Sequence, residues 1–556
     1  MQNLYENLKK LLKQDERLVS QDGTILKTKS QELARQNDPE LLKLLLSDKQ
    51  IKSTFFFEIE KTLIFDKEKF IRFVSNKQFL LDSYTAFKNK IGLTVGDEYL
   101  SENKEVVLAW PYKDCVLEGG MTKEDQKRDE IFYNETLAPD DINRLLDPKV
   151  FTNFKRIDKK GEHKLDGFKR DEKGNIKDNL IIKGNNLLAL ASLKKQFARQ
   201  AKLIYIDPPY NTLGEEDSFK YNDSFNHSTW LTYMRNRLEI AKDLLDKDGA
   251  IYVQLDFNEV HYCKVLMDEI FGRENFQREI IWRIGWISGY KSVDKNWIRN
   301  HDTILFYSKD KNNLDFHKRY IPYPDNYKRR DGAKPEGAGY PYEDTWNCSE
   351  LDPLNSIAIV SFSKEKVGKF KGQKNEALMQ RIIEAHTKDD DLVIDFFSGT
   401  GTTASVAQKL KRQWISIEQI DESVEKQLKR LKNMIGGDKY GISKAVNWQG
   451  GGDFVYMELA KWNENWVEKI EGAITSKELA KLWDEMKEKA FLSYKVDPKT
   501  IDANAKEFGE LRLADQKKFL IECLDENQLY VNYSEIGDKD YGISKENKAI
   551  NKEFYK

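Results

Sequence analysis

The 556-residue chain contains little cysteine, proline or histidine and no long apolar run. Four cysteines cannot make a disulfide framework for a chain of this size, which excludes a secreted disulfide scaffold. The most apolar stretches, 357–362 and 392–397, are strand-sized and far short of the ~18 residues of a membrane span, so no membrane association is expected. The start, Met1-Gln2-Asn3-Leu4-Tyr5-Glu6, has no basic flank and no apolar segment; no secretory signal is expected, which points to the cytoplasm. The six histidines form no HxxxH pair, and His261 with Cys263 is a lone pair of candidate ligands, so no metal site is expected. No Gly-x-x-x-x-Gly-Lys-[Ser/Thr] occurs, which argues against an ATP-driven motor. An excess of one charge is also missing: Lys and Arg number 91 against 93 Asp and Glu, so any surface for nucleic acid must be local.

What is present fits a globular chain of several units. Hydrophobic residues make up 39% and charged residues 33%, the latter above the ~25% of an average soluble protein. Leu4, Leu8, Leu11 and Leu12 follow the period of one buried helix face, and Leu41, Leu42, Leu44, Leu45 and Leu46 form a second cluster after Pro39. Residues 1–110 therefore read as a helical region, with its leucines either in a core or on an association surface. Residues 111–178 are charged and weakly periodic, and read as a connecting region of loops and short helices. From 179 the pattern changes. A strand is expected over 179–183, a helix over 187–197, a strand over 201–206, then a long helix over 229–245 with Ser228 as N-cap and Gly249 as its stop, and a strand over 250–255. This alternation predicts an α/β protein with a parallel sheet. A second α/β stretch runs over 377–418, and the tail beyond 454 is charged and mostly helical in pattern.

Two segments carry chemistry. In Leu392-Val393-Ile394-Asp395-Phe396-Phe397-Ser398-Gly399-Thr400-Gly401-Thr402-Thr403-Ala404, an apolar strand runs through a glycine turn into a helix start. Glycines there let backbone approach a ligand, and free N–H groups at the helix start favour an anionic group. A second strand over 414–417 ends at Glu418, where a carboxylate can accept ribose hydroxyls. This geometry suits NAD and S-adenosylmethionine equally, since both carry an adenosine ribose, and the segment alone does not choose between them.

The second segment is Leu203-Ile204-Tyr205-Ile206 followed by Asp207-Pro208-Pro209-Tyr210. The exocyclic amine of adenine is a poor nucleophile because its lone pair is delocalised into the ring. A rigid acceptor pair, the Asp207 carboxylate and the Pro208 carbonyl, can hold both N–H groups and turn that lone pair toward an electrophile. Two prolines, Pro208 and Pro209, reduce the entropy lost in holding the pair. Tyr210 offers a flat face for an extruded base. An isolated Asp-Pro, such as Asp352-Pro353, is read as an ordinary rigid turn; the full tetrapeptide after an apolar strand is not.

Here the sequence resembles a known family. The tetrapeptide and the Asp-x-Phe-x-Gly-x-Gly turn (Asp395, Phe397, Gly399, Gly401) resemble the two signatures of DNA amino-methyltransferases. Asp207 precedes Asp395 by 188 residues, and this order resembles that of the β group. Trp110-Pro111-Tyr112-Lys113-Asp114, residues 219–231 and Gly450-Gly451-Gly452-Asp453-Phe454 resemble modification (Mod) subunits of type III restriction–modification systems, so that the likeness covers nearly the whole chain.

The resemblance implies the S-adenosylmethionine-dependent methyltransferase fold: a seven-stranded, largely parallel sheet with permuted motif order, an inserted target-recognition region and helical extensions at both ends. It implies that S-adenosyl-L-methionine is the cofactor, lined by Asp395, Phe397, Gly399, Gly401 and Thr402 with Glu418 on the ribose. Gln373-Lys374-Asn375-Glu376 is similar to a family segment near the cofactor that normally reads Gln-Lys-Pro, which implies Lys374 as a further contact; Asn375 stands where the proline would be. It also implies double-stranded DNA as substrate and a separate restriction subunit carrying helicase and nuclease; the helical termini are read as surfaces for self-association, as a homodimer, or for partner docking.

The expected division is 1–110, N-terminal helical; 111–178, connecting; 179–282, catalytic half; 283–360, target recognition; 361–459, cofactor half; and 460–556, C-terminal helical. Residues 281–340 carry twelve basic and seven acidic side chains, and Trp282, Arg283, Trp286, Tyr290, Lys291, Lys295, Trp297 and Arg299 interleave rings with cations, as does a surface that neutralises phosphates and stacks on bases. Lys328-Arg329-Arg330 and Lys364, Lys366, Lys369 and Lys371 add basic stretches.

The expected activity is direct in-line methylation of adenine N6 after base flipping. Methylation at cytosine C5 needs a Pro-Cys thiolate, and the residues before Cys115, Cys263, Cys348 and Cys523 are Asp114, Tyr262, Asn347 and Glu522. Cytosine N4 is the nearer rival, although a Ser is more usual at the first tetrapeptide position in enzymes of that kind. An NAD-dependent oxidoreductase leaves Asp207–Tyr210 unexplained, and a DNA-recognition subunit with a decayed catalytic site is a third, non-enzymatic alternative.

Overall fold

The computed structural model describes residues 2–19, 25–59, 62–75, 94–95, 98–99, 108–117, 119, 132–212, 225–285, 295–324, 327–329, 331–333, 336–349, 352, 354, 365, 372–493, 496–525 and 528–556. The chain forms two compact units, Met1–Lys104 and Glu105–Lys556. In the first, helices α1 (Gln2–Leu12), α2 (Lys27–Arg35), α3 (Pro39–Leu46), α4 (Lys49–Phe55) and α5 (Lys67–Ser75) accompany an antiparallel hairpin, Phe56–Ile59 with Thr62–Phe65. Leu8, Leu11, Leu12, Leu41, Leu45, Ile51, Phe55 and Phe70 are buried in one apolar cluster. The leucine periodicity thus marks a core. Asp38 and Asp48 cap α3 and α4 by accepting from the first free N–H groups.

Among the described residues, the second unit is built on a sheet of eleven strands. In chain order these are β1 (Phe151–Asp158), β2 (Gly161–Lys164), β3 (Leu180–Lys183), β4 (Ala201–Ile206), β5 (Leu245–Leu255), β6 (Phe276–Arg283), β7 (His301–Ser308), β8 (Thr345–Trp346), β9 (Leu392–Asp395), β10 (Gln413–Glu418) and β11 (Phe454–Leu459). Their spatial order is β8-β6-β7-β5-β4-β9-β10-β3-β11-β1-β2. The seven from β6 to β3 are the expected sheet, with β7 antiparallel to both of its neighbours and β5, β4, β9, β10 and β3 parallel. The central strands are apolar on both faces. Along β4, Ile204 and Ile206 join one apolar cluster and Leu203 and Tyr205 the other, as a parallel sheet covered on both sides requires. Helices α6 (Pro139–Leu146), α7 (Asn186–Phe197), α8 (His227–Leu244), α9 (Val260–Phe271), α10 (Glu376–His386), α11 (Thr402–Lys409) and α12 (Asp421–Ile435) accompany the sheet. Beyond β11 come α13 (Asn463–Gly472), α14 (Ser476–Lys489), α15 (Leu513–Glu522) and α16 (Lys545–Phe554), whose Trp466, Leu479, Leu520 and Phe554 are buried in the sheet's own core cluster.

Several local expectations change. The region 111–178 is not only loops and short helices. It supplies β1 and β2, which extend the sheet at one edge. Phe151, Phe154 and Ile157 are buried at intervals of three along β1 rather than alternately, so the period-two signal is missing. The N-cap of α8 is Asn226, which accepts from the Thr229 N–H at 2.9 Å; Ser228 turns its hydroxyl onto Asn226 instead. Gly249 does not stop the helix. It lies inside β5, where a Cβ would come 2.7 Å from the Ala201 carbonyl oxygen, beside an irregularity in the pairing of β4 with β5. The segment 283–360 contains β7, an interior strand, and β8. Trp282 is buried, with its indole N–H donating to the Leu354 carbonyl, and so belongs to the core. Trp297, by contrast, is 95% exposed. Residues 286, 290, 291, 330, 357–362, 364, 366, 369 and 371, and 219–224 of the segment 219–231, lie outside the described residues.

The cap assignment is testable by urea denaturation. Asn226→Ala should lower the unfolding free energy by about 1 kcal/mol, and Ser228→Ala by less than half as much. A larger loss for Ser228→Ala would return the cap to Ser228.

Candidate active site

Strand β4 pairs in parallel with β9, Leu203 opposite Val393 and Ile204 opposite Ile394. From β4 the chain passes through α8 to β5 on one side, and from β9 through α11 to β10 on the other. The connections diverge here, so the loops after these two strands flank the crevice where open α/β sheets take ligands. One loop is Asp207–Tyr210 and the other is the glycine turn. The two expected halves therefore meet at one sheet edge.

On the first loop, Asp207 keeps 21% of its side chain exposed and accepts from two donors. The Tyr210 hydroxyl donates to Oδ1 at 2.7 Å, and the Lys374 ammonium lies 2.5 Å from Oδ2. Burial raises the Asp207 carboxyl above its usual range; Lys374 and Tyr210 pull it back, and Asp302 pushes it up again. The Pro209 carbonyl accepts from the buried Trp230 indole at 2.9 Å, which fixes the loop against α8. Trp110, from the segment before the sheet, donates to Thr232 on the same helix.

On the second loop, Gly399 and Gly401 have φ of 49° and 73°. A Cβ on Gly401 would meet Gln427 Cγ at 2.6 Å, so this position needs glycine both for its backbone and for close packing. Asp395 is buried; it accepts from the Thr403 hydroxyl at 2.6 Å and the Phe397 N–H at 3.0 Å. Burial, partly offset by these bonds and reinforced by Asp207 and Glu418, pushes its carboxyl up to about 7. The Phe396 carbonyl is held by Asn186, itself held by the buried Arg237. Glu418 is fully buried: Oε2 accepts the Gly399 N–H at 2.8 Å, and Oε1 accepts those of Gln419 and Ile420 at 2.9 Å each. It holds the glycine turn in place.

Lys374, expected on the cofactor side, joins the two loops. While its ammonium pairs with Asp207, its carbonyl accepts from the Thr402 hydroxyl at 3.3 Å, and that hydroxyl accepts from Arg430 at 2.8 Å. The Lys374 ammonium also lies 5.4 Å from the centre of the Tyr210 ring. Asn375 fits the proline's place because it is the N-cap of α10, accepting from the Ala377 N–H at 2.7 Å. Behind the turn, buried Glu376 accepts from Ser405, Lys409, Arg430 and the Ile442 N–H. The electrostatic pull of Arg430 and Lys409 overcomes burial and keeps its carboxyl below the ordinary range. Gly450 and Gly452 have a packing role. A Cβ on the first would come 2.5 Å from the Ile435 carbonyl oxygen, and on the second 2.1 Å from Gln408.

Sequence reasoning missed Lys409, Arg430, Asn186 and Arg237, the role of Glu376, and also Gln254 and Asp302, which lie beside Tyr210; Arg299, read as a cation for phosphates, pairs with Asp302. The one available signal was Gln254, a polar residue inside the apolar run 250–255. Among the described residues, no three His, Cys, Asp or Glu side chains gather as metal ligands, and no helix is long and apolar enough to cross a membrane.

A family model described as DNA methylase matches residues 201–430, which contain both loops. A second, described as the type III restriction/modification enzyme methylation subunit, matches residues 38–93. The chain is 34% identical to a protein of Haemophilus influenzae named the probable type III restriction-modification enzyme HindVI Mod subunit, over 98% of this chain and 97% of that one. It is 32% identical to the type III restriction-modification enzyme EcoP15I Mod subunit of Escherichia coli over 26% of each chain. A crystal structure of an M1.HpyAVI–SAM complex aligns with 45% of this chain and 99% of its own at 18% identity and a TM-score of 0.28, too low a likeness to bear on mechanism. On the near end-to-end similarity to the Haemophilus protein, the chain belongs to the family of type III restriction-modification Mod subunits.

Proposed function

We propose that this chain transfers a methyl group from S-adenosyl-L-methionine to adenine N6 in double-stranded DNA, as the modification and recognition subunit of a type III system. The single observation that carries the reading is the meeting of Asp207 and the glycine turn at one sheet edge, bridged by Lys374. The chemistry of the site suits both ligands. The Pro208 carbonyl would accept one N–H of the amine. The Asp207 carboxylate, with about four lone-pair positions, has room for the other. As the amine attacks, positive charge grows on nitrogen, and these two acceptors stabilise it where it develops. Tyr210 would stack on the extruded base.

Asp395, Phe397, Gly399, Gly401 and Thr402 would line the cofactor, Glu418 would act at its ribose and Lys374 beside it. When bound, the cofactor supplies an activated methyl on a sulfonium. Asp395, with a carboxyl near neutrality, can add negative charge beside a cation. The exposed Trp297 and the basic side chains of 283–360 other than Arg299 are proposed to contact DNA, with the restriction activity on a separate helicase and nuclease subunit. The helical extensions, 1–110 and 460–556, are proposed for homodimer and partner contacts.

Asp207→Ala should reduce tritiated-methyl transfer by about 100-fold or more while leaving cofactor binding, read by titration calorimetry, within about threefold. Retained transfer would overturn the role of Asp207. Nucleoside digestion and mass spectrometry of DNA methylated by this chain alone should give N6-methyladenine; N4-methylcytosine would overturn the choice of base.

Asp395 gives a pH signature. Because the folded state binds its proton more tightly than the unfolded state, stability is lost as pH rises from about 4 to about 7. Relative to Asp395→Asn, the wild-type urea midpoint should therefore fall between pH 4 and pH 7. Parallel curves would show that Asp395 titrates as an ordinary carboxylate.

A further inference from the structure

Beside the tetrapeptide stands a second carboxylate that none of the sequence signatures includes. Asp302 lies at the start of β7, opposite Trp282 on β6, and is 4% exposed. Its Oδ1 is paired with the Arg299 guanidinium. Its Oδ2 accepts from Gln254 Nε2 at 2.9 Å and lies 3.2 Å from the Tyr210 hydroxyl. Gln254 can present only its nitrogen here, because its oxygen accepts from the Tyr205 hydroxyl at 2.7 Å. A chain of contacts thus runs from Tyr205 on β4, through Gln254 on β5 and Asp302 on β7, back to Tyr210 and Asp207.

A tyrosine hydroxyl has one proton. At Tyr210 that proton faces two carboxylates, Asp207 at 2.7 Å and Asp302 at 3.2 Å. We propose that Asp302, held by Arg299 and Gln254, is a positioning residue for methyl transfer, which anchors the Tyr210 hydroxyl and sets the orientation and basicity of Asp207. The anchor limits rotation of the ring on which a base would stack. The charge of Asp302 disfavours a second negative charge on Asp207 and so makes Asp207 hold protons more tightly. Arg299, which also lies 3.8 Å from Asp256, moderates that effect.

The other groups that act on Asp207 are Lys374 from the segment before α10, Tyr210 on its own loop, Tyr205 on β4 and Asp395 on β9. Those facing Asp302 are Arg299, Gln254, Tyr210 and Tyr205. None of them is changed by Asp302→Asn. The inference rests on Asp207 being the amine acceptor, so Asp207→Asn is measured in parallel.

The test is the pH profile of kcat for the full chain with DNA and cofactor. Activity needs ionised Asp207, so it falls on the acid side. Asp302→Asn removes the neighbouring charge and should move the acid limb down by about half a pH unit or more, with KM for the cofactor within about twofold of wild type. Arg299→Gln leaves the Asp302 charge uncompensated and should move the limb up; it also serves if Asp302→Asn does not fold. Acid limbs that coincide with wild type in the folded variants would overturn the positioning role, even with kcat reduced. Turnover retained in Asp207→Asn would overturn the acceptor reading itself.

Discussion

Asp207 and Asp395 are separated by 188 residues, and the backbone hydrogen bonds of β4 to β9 hold the ends of their two strands side by side. Everything about the site depends on that pairing. It brings out two loops at the point where the chain turns opposite ways across the sheet, and it puts two half-buried or buried carboxyl groups within electrostatic reach of each other. The strands are short, so their register is held less by length than by burial. Alternate residues of β4 enter two different apolar clusters, and a slip of one position would exchange the clusters.

The loops are fixed by different means. Two prolines and a buried tryptophan indole stiffen the first. The second has two glycines in the left-handed region and would be loose without its surroundings. Glu418 takes up the Gly399 N–H, Asn186 takes up the Phe396 carbonyl, and Arg430 reaches the Thr402 hydroxyl. Arg430 belongs to a buried cluster with Glu376 and Lys409. Buried ion pairs are weak evidence for stability, since their desolvation offsets their attraction. What this cluster supplies is position: it links α10, α11 and α12 behind one turn.

The chemistry at the sheet edge was legible because it is local. A strand followed by a rigid acceptor pair, or by a glycine turn, is written in consecutive residues, and the bounds of β4 are those read from the apolar run. Strand β1 was not legible, because its buried positions recur every three residues. Nor was the cap of α8, since Asn226 and Ser228 are both good caps and only the backbone decides between them. The supporting polar residues were hidden for another reason. Asp302, Arg430 and Lys409 are ordinary in sequence and become unusual only when distant segments bury them together. The aromatic and basic pattern of 281–340 mixed two kinds of residue, a core tryptophan at 282 and an exposed one at 297.

The interior place of β7 bears on how freely the segment proposed for target recognition could be exchanged. Segment 283–360 is continuous in sequence but not in space: part of it runs inside the sheet, between β5 and β6, with Asp302 at its head. A gene conversion that replaced the whole segment would import a foreign sheet strand and a foreign neighbour for Tyr210. Exchanges confined to the stretches on either side of 301–308 would spare both. Drift in the segment proposed for target recognition would thus be coupled to the Asp207 loop through a single shared strand.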